Sequence, residues 1–388
     1  MERQITERIL EVGVRDRIRE LFDEIIPLPN GTSYNAYVVR GRDKIALIDT
    51  VEPKFAQALL KNLSSIGIER IDYIIANHAE QDHSGSIPEV LARFPDAKVL
   101  CSKKCISMLH DLLDLDQNSV VGVKHEDEIE LGGITLRFLM TPWVHWPETM
   151  STYAVEEEVL FSCDFFGAHV ASEDLFVSGT DALESAKRYY AEIMMPFASF
   201  IRKNLQTLSD LRIRYIAPSH GQVYTEPPSI VDAYVKWAGP SVEKSTVIAY
   251  VSMHGSTAAM VAMLTESLKK KNVKVITHNL TETDIGELAI DLVDAGGIVL
   301  ASPSFLAGAH PKALMAAHLI STLKPRARVI GIMGSYGWGS MMDTQLSALL
   351  EKLEGTLLEP VMVKGLPKNP ETINELAADI VKILAQNT

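Results

Sequence analysis

The feature that most constrains the fold is a cluster of four potential metal ligands within six positions. His78, Glu80, Asp82 and His83 stand in the stretch NHAEQDHSG, directly after the apolar run Ile71–Ala76. An apolar run of this length predicts a buried strand, so the cluster lies where a strand ends. On a regular strand or helix the four side chains would diverge, whereas a turning loop lets them converge. Two neighbouring metal ions suit four ligands from so short a segment better than one ion does.

Three further candidate ligands follow strand-like runs later in the first half. They are His145 in TPWVHWPETM, Asp164 in VLFSCDFFG and His220 in IAPSHG. A single histidine or aspartate after a strand is more often an ordinary loop or core residue than a ligand. A chance occurrence of four histidines and three carboxylates in this order, each near a predicted strand end, is improbable. The sequence therefore predicts one dinuclear metal site built from all seven residues.

The chain has 388 residues, which is too long for one ordinary core, and its two halves differ in texture. The first half is rich in strands that come partly in hairpins, such as the pair around the predicted turn at 41–43. Gly239, Pro240 and mixed charges predict a linker over 235–245. After it, strands alternate regularly with helices, which predicts an open, doubly wound parallel sheet. We therefore expect an α/β protein with domains at 1–240 and 246–388.

The stretch YVSMHGSTAAM has the features of a phosphate-binding loop between a strand and a helix. Ser252, Gly255, Ser256 and Thr257 offer hydroxyls and free amides at the predicted helix start. The pattern is neither G-x-G-x-x-G nor G-x-x-x-x-G-K-[ST], which disfavours a dinucleotide or a nucleoside triphosphate. An ordinary capped helix start is the alternative. Two later loops, in SPSFLAGAHP and GSYGWGS, follow strands on the same predicted sheet edge, and their aromatic residues among glycines suit the walls of a flat ring.

Composition excludes several classes of partner. The chain has 37 basic and 50 acidic residues, a net charge of −13, which disfavours nucleic acid because binding would release few counterions. No run approaches the ~18 apolar residues of a membrane span, and the charged start MERQITERIL does not resemble a secretory signal. Cys101, Cys105 and Cys163 form no C-x-x-C pair, which is typical of a reducing compartment. We expect a cytoplasmic protein that binds neither nucleic acid nor membranes.

The first half resembles the metallo-β-lactamase fold, an αββα sandwich whose zinc hydrolases carry H-x-H-x-D-H followed by further His, Asp and His ligands. This chain has Glu80 at the second position, and in that respect it resembles the flavodiiron proteins, also called A-type flavoproteins. The resemblance implies two non-haem iron ions, the first bound by His78, Glu80 and His145, the second by Asp82, His83 and His220, with Asp164 bridging them.

The glutamate has a physical reading. Zinc tolerates imidazole-rich sites, whereas a redox-active iron pair gains from hard carboxylate oxygen on each metal, because the carboxylates stabilise the oxidised charge. Two ferrous ions bring four positive charges and the three carboxylates bring three negative charges, so one further anion would neutralise the site. Such a site can lose electrons without leaving a large buried charge.

The second half resembles flavodoxin, which binds FMN, and SYGWG resembles the third flavin loop of flavodiiron proteins. His254 stands where the family commonly has an aromatic residue, and Ser340 where it often has a glycine. These departures leave the phosphate contacts intact and alter the packing at the ring edge. The flavin-binding residues that we predict are Ser252, Met253, His254, Gly255, Ser256 and Thr257 in the first loop, Ser302, Pro303, Ser304 and Phe305 in the second, and Ser335, Tyr336, Gly337, Trp338 and Gly339 in the third.

The resemblance also implies an activity and partners. An FMN hydroquinone and a ferrous pair hold two electrons each, which together reduce dioxygen to two waters, and two electrons suffice to convert two nitric oxide molecules to nitrous oxide and water. We therefore expect an oxidoreductase that reduces dioxygen, nitric oxide or both. A head-to-tail homodimer, or a dimer of such dimers, is implied. No pair of C-x-x-C motifs marks a fused rubredoxin module, so we expect a separate electron donor, either a rubredoxin-like protein or reduced deazaflavin F420.

Two other functions compete with this interpretation. A dinuclear zinc hydrolase fused to a flavodoxin domain is the first, and Glu80 argues against it. A non-catalytic electron carrier is the second, and seven intact ligand positions argue against it. His169, five residues past Asp164, is open between a solvated residue and a neighbour of the metal site. The remaining histidines are predicted to be solvated or structural, namely His110, His125, His278, His310 and His318.

Overall fold

The computed structural model describes residues 3–116 and 119–386. These residues fall into two compact units, and the chain passes from the first to the second between Ala238 and Gly239. The segment Ala191–Pro196 groups with the second unit. The domain limits 1–240 and 246–388 remain a prediction.

The first unit is rich in strands, as predicted. Its strands are Arg3–Thr6 (β1), Ile9–Glu11 (β2), Val14–Asp16 (β3), Leu21–Phe22 (β4), Ile26–Pro27 (β5), Thr32–Tyr34 (β6), Tyr37–Arg40 (β7), Ile45–Ile48 (β8), Tyr73–Ala76 (β9), Lys98–Ser102 (β10), Val120–Val123 (β11), Glu128–Glu130 (β12), Thr135–Met140 (β13), Met150–Ala154 (β14), Val159–Cys163 (β15), Phe176–Val177 (β16), Tyr215–Pro218 (β17) and Val223–Tyr224 (β18). Its α-helices are Ala56–Ser65 (α1), Gln81–Ser84 (α2), Ile87–Arg93 (α3), Cys105–Leu113 (α4), Leu183–Tyr189 (α5), Ala198–Leu208 (α6) and Pro227–Ala238 (α7).

Two sheets form the framework of this unit. The first has the order β1-β2-β7-β8-β9-β10-β11, and the second has the order β12-β13-β14-β15-β17-β18-β16. Strands β7 and β8 form the predicted antiparallel hairpin, and β8 to β11 then run parallel. In the second sheet β12 to β15 form an antiparallel meander, and β15 pairs in parallel with β17.

The core of the first unit lies between the sheets and under the helices. Tyr37 and Ile75 of the first sheet pack in one buried cluster with Phe138 and Phe161 of the second. On the other face of the first sheet, α1, α3 and α4 contribute buried apolar residues to a separate cluster. Tyr234 of α7 packs against the aromatic rings that follow β15. These layers give the αββα sandwich that the sequence predicted.

The second unit alternates strands and helices. Its elements are Glu243–Tyr250 (β19), Ser256–Lys270 (α8), Lys274–Asn279 (β20), Ile285–Leu292 (α9), Ala295–Phe305 (β21), Gly308–Ala309 (β22), Pro311–Leu323 (α10), Val329–Tyr336 (β23), Met342–Leu350 (α11), Thr356–Leu357 (β24), Val361–Lys364 (β25) and Glu371–Ala385 (α12).

The sheet of this unit is parallel and doubly wound, apart from the two-residue β22, which pairs antiparallel with the end of β21, and this confirms the predicted fold class. Its order is β20-β19-β21-β23, followed by β24 and β25, which both pair in parallel with β23. Helix α8 contacts α12, whereas α9 and α11 contact α10. The strand order changes direction at β19, because β20 lies on one side of it and β21 on the other. Open α/β sheets bind ligands at the carboxyl ends of the strands at such a point.

The predicted linker over 235–245 is too long. Helix α7 continues to Ala238, and β19 begins at Glu243. The helix continues because Trp237 and Ala238 are buried on its apolar side. Gly239, Pro240 and the mixed charges mark only the short connection between these two elements.

Candidate metal centre and flavin loops

All seven predicted ligand residues converge at strand ends of the first unit. They form two groups. Within each group, one potential ligand atom from every side chain lies within 4.8 Å of those from the others. The first group is His78, Glu80, His145 and Asp164, and the second is Asp82, His83 and His220.

The turning loop that the sequence required is present at residues 78 to 83. Glu80 is the residue before α2 and has an extended backbone with φ −58° and ψ 141°. Glu80 therefore lies on extended chain and His78 lies in the loop before it, while Asp82 and His83 lie on the first turn of α2. This change of backbone directs the first two side chains to one group and the last two to the other.

Asp164 faces both groups with different oxygens. Its Oδ1 lies 3.0 Å from His83 Nε2 and 3.4 Å from His220 Nε2. Its Oδ2 lies 3.5 Å from His78 Nε2 and 3.4 Å from His145 Nε2. A carboxylate in this position can bridge two ions.

Each group also has its own carboxylate. Glu80 Oε2 lies 3.1 Å from the Nε2 atoms of both His78 and His145. The Asp82 oxygens each lie 3.3 Å from a histidine nitrogen of the second group. Each group thus offers two imidazoles, one carboxylate of its own and one oxygen of Asp164.

Two outer contacts orient the ligand histidines, and sequence reasoning missed both. The Nδ1 of His78 lies 2.7 Å from Oε1 of the buried Glu148. The Nδ1 of His220 donates to the carbonyl oxygen of Ser33 over 2.6 Å. Glu148 stands three residues after His145 in the same motif, so its proximity gave a local signal. Ser33 is 187 residues from His220, and the sequence contains no such signal for it.

His169, whose place was open, lies beside a ligand. Its ring centroid is 5.1 Å from that of His220, and its Nδ1 is 2.9 Å from Thr32 Oγ1. Burial, and next the neighbouring His220, hold the pKa of His169 well below its usual range. Other histidines have structural contacts, as predicted: His278 pairs with Asp291 over 2.9 Å, and His310 caps α10.

The electrostatics of the site suit bound cations. Burial lowers the pKa of His78, but hydrogen bonds to Glu148 and Glu80 outweigh it and raise the pKa to about 9. Burial also opposes protonation of His145, yet hydrogen bonds to Asp164 and Glu80 raise its pKa to about 10. Burial would raise the pKa of the Asp164 carboxyl, but the neighbouring His83, His145 and His78 outweigh it and hold that pKa well below its usual range. Protons on imidazoles thus balance the carboxylates, and divalent ions would replace these protons.

Unsatisfied buried atoms support the same conclusion. Both oxygens of Asp164, both nitrogens of His83 and Oδ1 of Asp82 are buried without a hydrogen-bond partner of good geometry. Buried polar atoms normally have partners. Four imidazoles with three carboxylates form a donor set that fits two iron ions.

A cavity of about 240 Å³ adjoins the site. Its lining includes Glu80, Asp82 and His220 together with the rings of Phe22 and Trp146. A space of this size holds small molecules beside the ligand groups.

In the second unit, the predicted flavin residues lie at the carboxyl ends of β19, β21 and β23. The first six follow β19 and open α8, Ser302 to Phe305 end β21, and Ser335 to Gly339 span the end of β23 and the loop after it. Thr257 Oγ1 lies 2.9 Å from Ser335 Oγ, and Ser304 Oγ donates to Gly339 O over 3.0 Å. The structure therefore brings the three loops together.

The chemistry of these loops suits a flavin monophosphate. Gly255 precedes α8 with φ +91°, a backbone conformation that favours glycine, and Ser252 Oγ accepts from the amides of Gly255 and Ala258. Hydroxyls and amides at a helix start bind phosphate. Trp338 is 80% exposed, and Met253 and Phe305 are each 42% exposed. Large apolar side chains left open at one sheet edge can flank a flat ring.

No helix in residues 3–116 and 119–386 combines the length and apolar character needed to cross a bilayer.

Comparison with known proteins identifies the family. The family model described as ODP family beta lactamase matches residues 32–221. The chain is 33% identical over 370 residues to a nitric oxide reductase of Moorella thermoacetica, covering 93% of this chain and 92% of the relative.

Solved structures agree over the whole length. Rubredoxin oxygen:oxidoreductase from the anaerobe Desulfovibrio gigas matches with a TM-score of 0.94 at 28% identity. The match covers 99% of this chain and 98% of the Desulfovibrio chain. The flavodiiron protein of Giardia intestinalis matches with a TM-score of 0.89 at 25% identity. The match covers 99% of this chain and 96% of the Giardia chain. On these similarities, the seven-residue site and the flavodoxin-like sheet, the chain belongs to the flavodiiron protein family.

Proposed function

We propose that this protein reduces dioxygen to water, nitric oxide to nitrous oxide, or both, at a non-haem diiron site that receives electrons from FMN. As a flavodiiron protein it is an oxidoreductase with FMN and iron cofactors. We assign one ion to His78, Glu80 and His145, the other to Asp82, His83 and His220, and the bridge to Asp164.

The observation that carries the proposal is the position of Asp164. One oxygen faces two histidines of one group and the other oxygen faces two histidines of the other, at 3.0 to 3.5 Å. A single buried carboxylate that serves both groups would hold two ions side by side, and such a pair can act on one small substrate. Glu80 gives the first group a hard oxygen ligand, which favours iron over zinc.

The residues around the site hold and orient its ligands. When bound, the two ions would supply electrons and a place for two substrate atoms. Glu148 and the Ser33 carbonyl hold the rings of His78 and His220 with Nε2 turned toward the carboxylates. Phe22 and Trp146 line the adjoining cavity. A small diatomic substrate suits a space of this size and polarity.

For the second unit, we assign FMN binding to the three loops, with phosphate at Ser252 to Thr257 and the ring near Tyr336 and Trp338. The flavodoxin-like sheet supports this assignment. We place the diiron domain at 1–240 and the FMN domain at 246–388.

The electron donor and the assembly are also part of the proposal. A rubredoxin-like protein is the first candidate donor, because the similar enzyme of Desulfovibrio gigas is named for rubredoxin, and reduced deazaflavin is the second. We propose a head-to-tail homodimer, alone or paired into a tetramer. A reducing cytoplasm suits the three buried free cysteines.

The test is to purify the protein without oxygen, measure iron, zinc and FMN per chain, and follow consumption of each gas by the reduced protein. Two irons and one FMN with consumption of either gas would support the proposal, and the ratio of rates would give the preference. Two zinc ions with no gas consumption would overturn it and favour a hydrolase. Addition of rubredoxin or reduced deazaflavin in separate assays then identifies the donor.

A further inference from the structure

Glu148 is a buried carboxylate outside the ligand set that contacts a ligand directly. It is 2% exposed and precedes β14. Its backbone carbonyl accepts a hydrogen bond from Ser102 Oγ over 2.7 Å. The position of Glu148 is therefore fixed by β10 as well as by its own strand.

The hydrogen bonds to Glu148 define which nitrogen of His78 carries a proton. Oε1 lies 3.1 Å from the backbone nitrogen of Ala79, which can only donate. Oε1 is therefore an acceptor, and His78 Nδ1, at 2.7 Å, donates to it as well. In the neutral imidazole that would bind a metal, the lone pair is therefore on His78 Nε2, the nitrogen that faces Glu80 and Asp164.

Three of the ligand histidines, His78, His83 and His220, differ in what their outer nitrogens contact. His220 donates to a neutral carbonyl, that of Ser33. His83 Nδ1 is buried without a hydrogen-bond partner. Among residues 3–116 and 119–386, Glu148 is the one carboxylate outside the ligand set that lies within 4.0 Å of a ligand histidine. The two metal positions are thus chemically unequal.

We propose that Glu148 is a positioning residue that makes the ion at His78, Glu80 and His145 the more easily oxidised of the two. This inference rests on the proposed diiron function. A carboxylate hydrogen-bonded to the outer nitrogen makes the imidazole a stronger electron-pair donor to the metal ion. A buried charge so close to the ligand also stabilises the higher positive charge of an oxidised ion. Among the described residues, no carboxylate outside the ligand set lies within 4.0 Å of His83 or His220, and the charge of Asp49 acts on His83 from a longer distance. We therefore expect the ion of the second group to be oxidised at a higher potential.

Glu148→Gln is the decisive variant, because the amide oxygen can still accept both hydrogen bonds while the charge is removed. The measurement is an anaerobic redox titration of the iron-loaded protein, with the mixed-valent form followed by electron paramagnetic resonance. Each step removes one electron to the mediator. We expect the lower of the two potentials to rise by about 59 mV, equivalent to a tenfold change in the ratio of oxidised to reduced ion, and the higher potential to move less.

Asp49→Asn is the matched control. Asp49 is also buried at the site, but its oxygens accept from Asn77 at 2.8 and 2.9 Å and contact no outer nitrogen of a ligand. We expect it to shift the lower potential less than Glu148→Gln does. An equal shift of both potentials in Glu148→Gln, no shift, or an equal effect of Asp49→Asn would overturn the inference.

Glu148→Asp covers the case in which the glutamine variant does not retain two irons. It keeps the charge, so a lower potential close to that of the unmodified protein would support the inference, and a raised one would overturn it. The potentials can be read whether or not the protein consumes either gas. Failure of the inference is therefore distinct from failure of the proposed function.

Discussion

At the scale of single residues, Asp164 is the residue that connects the two ligand groups into one site for a pair of ions. Its oxygens are the contacts that the groups share. We expect Asp164→Ala to retain at most one iron per chain and to lose at least about tenfold in gas consumption, since loss even of an outer contact to a metal ligand costs about that much. Metal analysis and gas electrodes measure both quantities. His125→Ala, which removes an exposed histidine, should change neither. Full turnover with two irons in Asp164→Ala would contradict the bridge.

The residues that could be predicted from sequence were those with a local signal. Each ligand follows an apolar run, and the ends of neighbouring strands meet in space, so seven positions could be proposed together. Glu148 lies three residues after His145, but this spacing does not distinguish a carboxylate that contacts a ligand from a solvated one. Ser33 and Thr32 reach the site only through chain folding, and their partners His220 and His169 are more than 130 residues away. Periodicity carries no information about such contacts.

At the scale of elements, the start of α8 depends on one glycine. Gly255 has φ +91°, and an added Cβ would meet no atom within 4 Å. The cost of Gly255→Ala is therefore conformational, about 1–2 kcal/mol, without a steric clash. We expect a lower urea midpoint of the flavin-free protein and weaker FMN binding. Gly337→Ala is the control for stability, because its φ is not left-handed and its Cβ also meets no atom within 4 Å. Equal midpoints for both variants would show that the loop relaxes.

The third loop contributes a ring rather than a backbone conformation. Trp338 is 80% exposed, so its side chain adds little to the stability of the flavin-free protein. We expect Trp338→Ala to weaken FMN binding about tenfold, in keeping with the worth of an aromatic contact, and to slow reduction of the iron site. Flavin fluorescence and stopped-flow reduction measure these effects. Met315→Ala, a partly exposed apolar residue of α10, should affect neither, and unchanged flavin affinity in Trp338→Ala would remove the residue from the site.

Most elements with regular periodicity could be predicted from the sequence, and α12 is an exception. The alternation from β19 to α11 follows the sequence pattern closely, because each strand is an apolar run and each helix has one apolar face. The last strands and α12 were not predicted, although α12 buries Ile373, Leu376 and Ile380 at helical spacing. The end of α7 has a linker-like composition because Gly239 and Pro240 follow it, whereas the burial of Trp237 keeps it helical.

At the scale of the whole molecule, bound metal ions would connect segments of the first unit that are far apart in the sequence. The ligands lie between His78 and His220 and follow strands of both sheets of the first unit. Ions that bind only the folded state stabilise it, by about 4 kcal/mol at a free concentration one thousand times the dissociation constant. We expect a chelator to lower the melting temperature of the iron-loaded protein, as measured by calorimetry. The same chelator should have a much smaller effect on Asp164→Ala, which has lost the bridged pair. If both proteins lost equal stability, the chelator would be acting elsewhere. If neither did, the seven residues would be preorganised without metal, and the buried unpartnered oxygens of Asp164 would need another explanation.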